Sequence, residues 1–275
     1  MTDRYAVIGN PVAHSKSPQI HAAFARANGD DLDFSLLPAP LDGFRATVAE
    51  FRAAGGKGLS VTLPFKLEAL EIATSAAERA RRAGAANFLR FEGTEILADN
   101  TDGAGLVRDL TQNLGIDFRD SRVLVVGAGG GARGIILPLL ETGLRALRIV
   151  NRTADRAQAL ALEFASVAGR PALSGGGYAE IAGERYDVVI NATSASIAGA
   201  VPALPLDIFA SGSLAYDLMY AENDTPFMLF ASQHGAARTA DGLGMLVEQA
   251  AESYYLWRGV RPQTAGVLRA LRHPA

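Results

Sequence analysis

The chain has 275 residues, 49% apolar and 20% charged, with a formal net charge of −3; that balance is a globular protein's, with room for two packed cores. Basic and acidic residues are mixed and form no basic stripe, which argues against a nucleic-acid surface. The absence of cysteine excludes disulfide frameworks, thiolate zinc sites and cysteine nucleophiles, and it fits a reducing, cytoplasmic location.

Met1–Asn10 carries an early charge pair and a short strand-like run, not the apolar core of a signal peptide. No uncharged apolar stretch reaches the ~18 residues needed to span a bilayer, so no membrane partner is expected. Tyr5–Ile8 reads as a buried strand ending at Gly9-Asn10-Pro11. Ser17-Pro18 reads as a helix start, a hydroxyl cap followed by proline at the first helical position, and Ile20, Ala23, Phe24 and Ala27 continue at helical spacing. Leu41–Ala54 predicts a second helix stopped by Gly55-Gly56, and Leu59–Leu63 a strand closed by Pro64. Asn87–Phe91 and Glu95–Ala98 read as a hairpin. This region is α/β, with a mostly parallel sheet.

From about Asp102 the pattern changes. Val123–Val126, Leu147–Val150, Tyr186–Ile190 and Leu214–Tyr216 are short aliphatic strands, each running into a polar or glycine-containing loop. That rhythm is the doubly wound, Rossmann-type nucleotide-binding pattern. Ser174-Gly175-Gly176-Gly177 reads as the most flexible loop. Near the end, Leu243, Leu246, Val247, Ala250, Ala251, Tyr254 and Trp257 mark the apolar stripe of a long helix, and a shorter helix follows Pro262.

Gly127-Ala128-Gly129-Gly130-Gly131-Ala132 directly follows a strand and fits G-x-G-x-x-A at Gly127, Gly129 and Ala132. Such a turn needs a backbone bare enough to approach a pyrophosphate and a helix N-terminus aimed at its charge. The next strand leads to Asn151-Arg152-Thr153, with Arg156 beyond it, where an NAD enzyme places a carboxylate for the ribose 2′-hydroxyl. Two guanidiniums and a hydroxyl instead suit a 2′-phosphate, so the expected cofactor is NADP. The plainer alternative, a solvated helix start, puts positive charge at the end of a helix that disfavours it.

Four further segments are dense in polar residues: Gly9–Pro18, Ser60–Lys66, Asp99–Gly103, and Asp241–Met245 with Gln249. In this order, with the glycine loop and Asn191-Ala192-Thr193-Ser194 among them, the chain resembles shikimate dehydrogenases from Tyr5 to about Gly259. The resemblance implies that Ser15 and Ser17 hold a substrate carboxylate, that Lys66 and Asp102 are the catalytic pair, and that Thr62, Asn87 and Gln249 read ring hydroxyls. It adds Tyr220 to the substrate groups, and Thr193, Met219 and Gly242 to the cofactor loops. Without it, Ser17 is an N-cap, Lys66 a solvated lysine after a proline turn, Asp102 a helix cap and Gln249 a surface glutamine.

The implied architecture is an N-terminal α/β substrate domain, residues 1–102 joined by the returning C-terminal helices at 241–275, and a Rossmann-type NADP-binding domain at 103–240. The implied reaction is the reversible reduction of 3-dehydroshikimate to shikimate by NADPH, in a monomer or homodimer. Lysine donates the proton that the new hydroxyl requires, and the carboxylate orients the lysine. Three residues depart from the family pattern: Ser60 stands where Asn is common, Phe88 where Thr is common, and Glu222 where proline is frequent. They leave open a paralogue acting on quinate or an aminated analogue; a catalytically silent NADP-binding sensor is the remaining alternative. No metal is expected, since His14, His21, His234 and His273 lack ligand spacing. Ser194 sits in no nucleophile elbow, and the glycine loop lacks the Lys-Ser/Thr of a phosphoryl-transfer loop.

Overall fold

A computed structural model describes residues 2–165 and 172–273. The chain divides into two compact units, residues 1–105 with 246–275, and residues 106–245. Among the described residues no helix is long and apolar enough to cross a membrane.

The first unit opens with β1 (Asp3–Gly9), α1 (Ser17–Asn28), β2 (Leu32–Pro38), α2 (Phe44–Ala53) and β3 (Gly56–Val61). It continues with α3 (Lys66–Glu71), β4 (Ser75–Ala76), α4 (Glu78–Ala83), β5 (Phe88–Glu92) and β6 (Glu95–Asp99), before α5 (Asp102–Arg108). Its six strands lie in the order β2-β1-β3-β5-β6-β4. β1 runs parallel to both β2 and β3, whereas β5 is antiparallel to β3 and β6. The apolar runs end where local chemistry ends them. Lys16, not Ser17, holds the cap position of α1, and the Ser17 N–H donates to Ser15 Oγ instead. The second helix starts at Phe44 and not Leu41, because Pro40–Gly43 closes a turn that leaves Leu41 exposed. Gly55, at φ 87°, ends that helix. Gly56 already belongs to β3, and a Cβ there would stand 2.2 Å from the Phe51 ring. Thr62 and Leu63 leave β3 ahead of a cis bond to Pro64.

The second unit holds β7 (Arg122–Val126), α6 (Gly130–Leu140), β8 (Ala146–Val150), α7 (Ala154–Ala165), β9 (Ala172–Gly176), β10 (Tyr186–Asn191), β11 (Phe209–Asp217), α8 (Pro226–Gln233) and β12 (Arg238–Asp241). The sheet order is β12-β11-β10-β7-β8-β9, parallel throughout. This is the doubly wound order whose direction reverses between the first and fourth strands, here β7 and β10. Val123, Leu124, Val125 and Val126 are fully buried, as a central parallel strand covered on both faces requires. The stretch expected to be the most flexible loop is instead mostly the edge strand β9. Gly175 lets it lie against α7, where a Cβ would stand 2.2 Å from the Ala157 carbonyl oxygen.

The chain ends with α9 (Leu243–Arg258) and α10 (Ala265–Arg272). From Val247 to Tyr254, α9 packs with Ile20 and Phe24 of α1. His21 does more than an ordinary helix residue: it is fully buried, stacked on Phe34 with ring centroids 4.0 Å apart, and neither ring nitrogen has a hydrogen-bond partner.

Candidate active site

Strand pairing in the first unit gathers the polar segments at one end of the sheet. β1 and β3 are parallel, so the loops after Gly9 and after Val61 leave from the same edge. A Cβ on Gly9 would stand 2.4 Å from Thr62 Cγ2, and the Asn10 N–H donates to the Leu63 carbonyl. β5 is antiparallel to β3 and β6, with Phe88 paired to both Ser60 and Asp99, so Asn87 and Asn100 fall at that same edge.

There, Lys66 Nζ lies 2.5 Å from Asp102 Oδ2, with 21% and 10% of the two side chains exposed. Lys66 opens α3 and Asp102 opens α5, so both are set by the backbone of helix starts. The Asn87 amide donates to Asp102 Oδ1 at 2.8 Å and to Thr101 Oγ1 at 2.9 Å, while Asn87 Oδ1 accepts the Thr101 N–H at 2.7 Å. Gln249 Oε1 lies 3.2 Å from Asn87 Nδ2, so this half-buried glutamine turns its amide oxygen toward the polar cluster. A Cβ on Gly105 would stand 2.6 Å from Gln249 Cβ, and the missing side chain is what lets α9 approach so closely. Arg79 steadies the turn before Asp102 by gripping Asp99 through Nε at 2.6 Å and Nη2 at 2.9 Å.

Ser15 Oγ donates to Ser17 Oγ at 3.1 Å, and Ser17 is buried at the first turn of α1. Two adjacent hydroxyls at a helix N-terminus form an anion site without a buried arginine. Phe88 is buried and stacked on Trp257, with centroids 4.9 Å apart, so this departure serves packing. Thr101 and Ser253, both fully buried in the cluster, carry no assigned role in the sequence because only the fold joins them.

In the second unit the glycine loop sits at the reversal point. Gly127 has φ 114°, and its N–H donates to the Val150 carbonyl. A Cβ there would stand 3.1 Å from both the Ala192 carbonyl oxygen and Thr193 Cγ2. Added Cβ atoms on Gly129 and Gly130 would meet nothing within 4 Å, so the backbone at the start of α6 stands open. Ala132 is fully buried against the sheet, as close helix–strand packing needs. Ala128 is partly buried beside that core and Gly131 exposed. This bare turn, aimed along a helix dipole, fits a pyrophosphate.

Asn151 at the end of β8 folds back to donate to the Thr153 carbonyl. Arg152, Thr153 and Arg156 are exposed; neither guanidinium forms an ion pair with a carboxylate among the described residues, and Arg152 acts electrostatically on the Tyr178 phenol. Two unpaired guanidiniums at this strand end, with no carboxylate beside them in Asn151–Thr153, fit a 2′-phosphate. Thr193 is tied to Asn191, whose Oδ1 accepts its hydroxyl at 2.7 Å. Gly242 packs on Leu218, where a Cβ would stand 2.1 Å from the carbonyl oxygen, and its N–H donates to the Met219 carbonyl. Tyr220 follows β11, and burial raises its phenol pKa.

Comparison with known proteins agrees with this geometry. Family models match three stretches: the shikimate dehydrogenase substrate binding domain at residues 7–89, shikimate / quinate 5-dehydrogenase at 109–198, and the shikimate 5'-dehydrogenase C-terminal domain at 242–272. Shikimate dehydrogenase (NADP(+)) from Dechloromonas aromatica is 58% identical over 272 residues, 99% of this chain and 98% of its own. The enzyme of that name from Nitrosospira multiformis is 57% identical, with the same coverage. Among solved structures, an Ael1 enzyme from Pseudomonas putida superposes with a TM-score of 0.93 at 48% identity, covering 99% of both chains. Shikimate 5-dehydrogenase from Thermus thermophilus, in complex with NADP(H) and shikimate, does so with a TM-score of 0.85 at 34% identity, covering 98% of this chain and 99% of its own. With near-full-length identity above half, and the ordered motifs folded into one polar cluster and one bare glycine turn, the chain belongs to the shikimate dehydrogenase family.

Proposed function

We propose that this chain reversibly reduces 3-dehydroshikimate to shikimate with NADPH. The observation that carries this reading is the Lys66–Asp102 pair, 2.5 Å apart, with Asn87 on the other carboxylate oxygen. When bound, NADP supplies or accepts the hydride. The chain's own residues manage the proton. Reduction of a ring carbonyl leaves an oxygen that must gain a proton, and Lys66 can deliver one. Its ammonium has three hydrogens, and Asp102 takes one of them. Asp102 holds that ammonium in place, and because Asn87 fixes Oδ1, the carboxylate cannot swing away from Lys66.

Ser15 and Ser17 take the substrate carboxylate in this reading, Thr62, Asn87 and Gln249 read ring hydroxyls, and Tyr220 adds a phenol. Gly127–Ala132 cradles the pyrophosphate, with Thr193, Met219 and Gly242 beside the rest of the cofactor; Asn151, Arg152, Thr153 and Arg156 select the 2′-phosphate. A cytoplasmic location and a monomer or homodimer belong to the same proposal; the absence of cysteine supports the first. The test is turnover of the purified protein with shikimate and quinate, each with NADP and NAD. Shikimate with NADP should give the highest kcat/KM; absence of turnover in both directions with every pair would overturn the proposal.

A further inference from the structure

Ser253 lies on α9, fully buried, and its hydroxyl meets both the Gln249 carbonyl, at 3.0 Å, and Thr101 Oγ1, at 3.1 Å. Counting hydrogens through this cluster assigns each bond a direction. The single Ser253 hydrogen goes to the Gln249 carbonyl, the shorter of its two contacts and one that can only accept, so that Ser253 accepts from Thr101. The single Thr101 hydrogen is thereby used, and Thr101 Oγ1 accepts from Asn87 Nδ2 at 2.9 Å. The second Asn87 amide hydrogen goes to Asp102 Oδ1 at 2.8 Å. Gln249 Oε1 is left over. It lies 3.2 Å from Asn87 Nδ2 and 3.3 Å from Thr101 Oγ1, but the hydrogens of both are committed to shorter bonds. Gln249 Nε2 is anchored separately on the Leu246 carbonyl.

We propose that Ser253 is a positioning residue that keeps Gln249 Oε1 a vacant acceptor, reserved for a hydroxyl of the substrate ring. This rests on the function proposed above. Ser253 works by drawing the Thr101 hydrogen away from Gln249. In Ser253→Ala that hydrogen has two other acceptors, Asn87 Oδ1 at 3.2 Å and Gln249 Oε1 at 3.3 Å, and the second of these blocks the group that should receive substrate. The Lys66–Asp102 pair meets this network only through Asn87, whose bonds to Asp102 Oδ1 and Thr101 Oγ1 use separate hydrogens, so the chemical step is spared.

The test is steady-state kinetics of Ser253→Ala and Ser253→Thr, with Ser253→Ala repeated in a Gln249→Met background. Loss of one neutral hydrogen bond corresponds to about three- to tenfold in affinity. Ser253→Ala should raise KM for the ring substrate by about that factor, with kcat and its pH profile nearly unchanged. Ser253→Thr, which keeps the hydroxyl, should restore KM, and in the Gln249→Met background the Ser253→Ala change should cost nothing further. An unchanged KM, or an equal KM penalty with and without Gln249, overturns the inference while leaving the proposed reaction standing. Inactivity of the unsubstituted protein on every ring substrate would count against the proposed reaction itself.

Discussion

Asn191 Nδ2 lies 3.1 Å from Asp217 Oδ1, joining the carboxyl ends of β10 and β11 through a pair of fully buried side chains. Asp217 also accepts from the Ser196 hydroxyl at 2.6 Å, the Thr225 hydroxyl at 2.7 Å and the Met219 N–H at 3.1 Å. One carboxylate thus ties down the strand end that carries Thr193 and the turn that carries Met219. Asp217→Ala leaves those donors unsatisfied and should destabilise the protein by about 3 kcal/mol or more. Urea unfolding measures the loss, and NADP affinity should fall with it; a change below about 0.5 kcal/mol would show the network to be dispensable.

Arg152 and Arg156 are exposed cations without an ion-pair partner among the described residues. Arg152→Ala should raise KM for NADP by about ten- to a hundredfold, the worth of a charge-assisted hydrogen bond. KM for NAD, which lacks the 2′-phosphate, should stay within about twofold. Equal effects on both cofactors would place the 2′-phosphate elsewhere.

Burial without hydrogen-bond partners pulls the His21 pKa down from 6.5 to about 3. The folded form binds its proton less readily than the unfolded chain. The stability contribution is therefore complete above pH 6.5 and is lost as pH falls from there toward 3, at up to about 1.4 kcal/mol per pH unit. His21→Phe should flatten the fall in unfolding free energy between pH 7.5 and 5.5 by about 1 kcal/mol, read from urea titrations at both values. An unaltered slope would mean that His21 is not the titrating group.

Most of the second unit is legible because buried parallel strands are written as bare aliphatic runs, as at Val123–Val126. β2 leaves no such signal: it is an edge strand, and Asp33, Leu36 and Pro38 are exposed on it. β9 misleads because glycine signals flexibility in a sequence, whereas Gly175 is there for contact with α7. Lys66, Asp102, Asn87 and Gln249 are named through family likeness, and the fold does bring them together. Ser253, Arg79 and Asp217 act through partners distant in sequence, and no local pattern marks them; Thr101 lies in a polar segment, but its partners Asn87 and Ser253 are brought to it only by the fold.

Gly175 supplies its own check. Gly175→Ala puts a methyl 2.2 Å from the Ala157 carbonyl oxygen and should cost about 1–3 kcal/mol by forcing β9 off α7. Thermal unfolding reads this directly, and a Tm unchanged from the parent protein would return the segment to the status of a loop.

The proposed mechanism depends most on Lys66 giving its proton to the substrate oxygen while Asp102 holds it. The direct measurement is kcat and substrate dissociation constant for Lys66→Ala beside the parent enzyme. A fall in kcat of about 10²- to 10⁴-fold, with binding changed only a few-fold, is the predicted result. A variant that turns over at the parent rate, or loses activity solely through weakened binding, would contradict it.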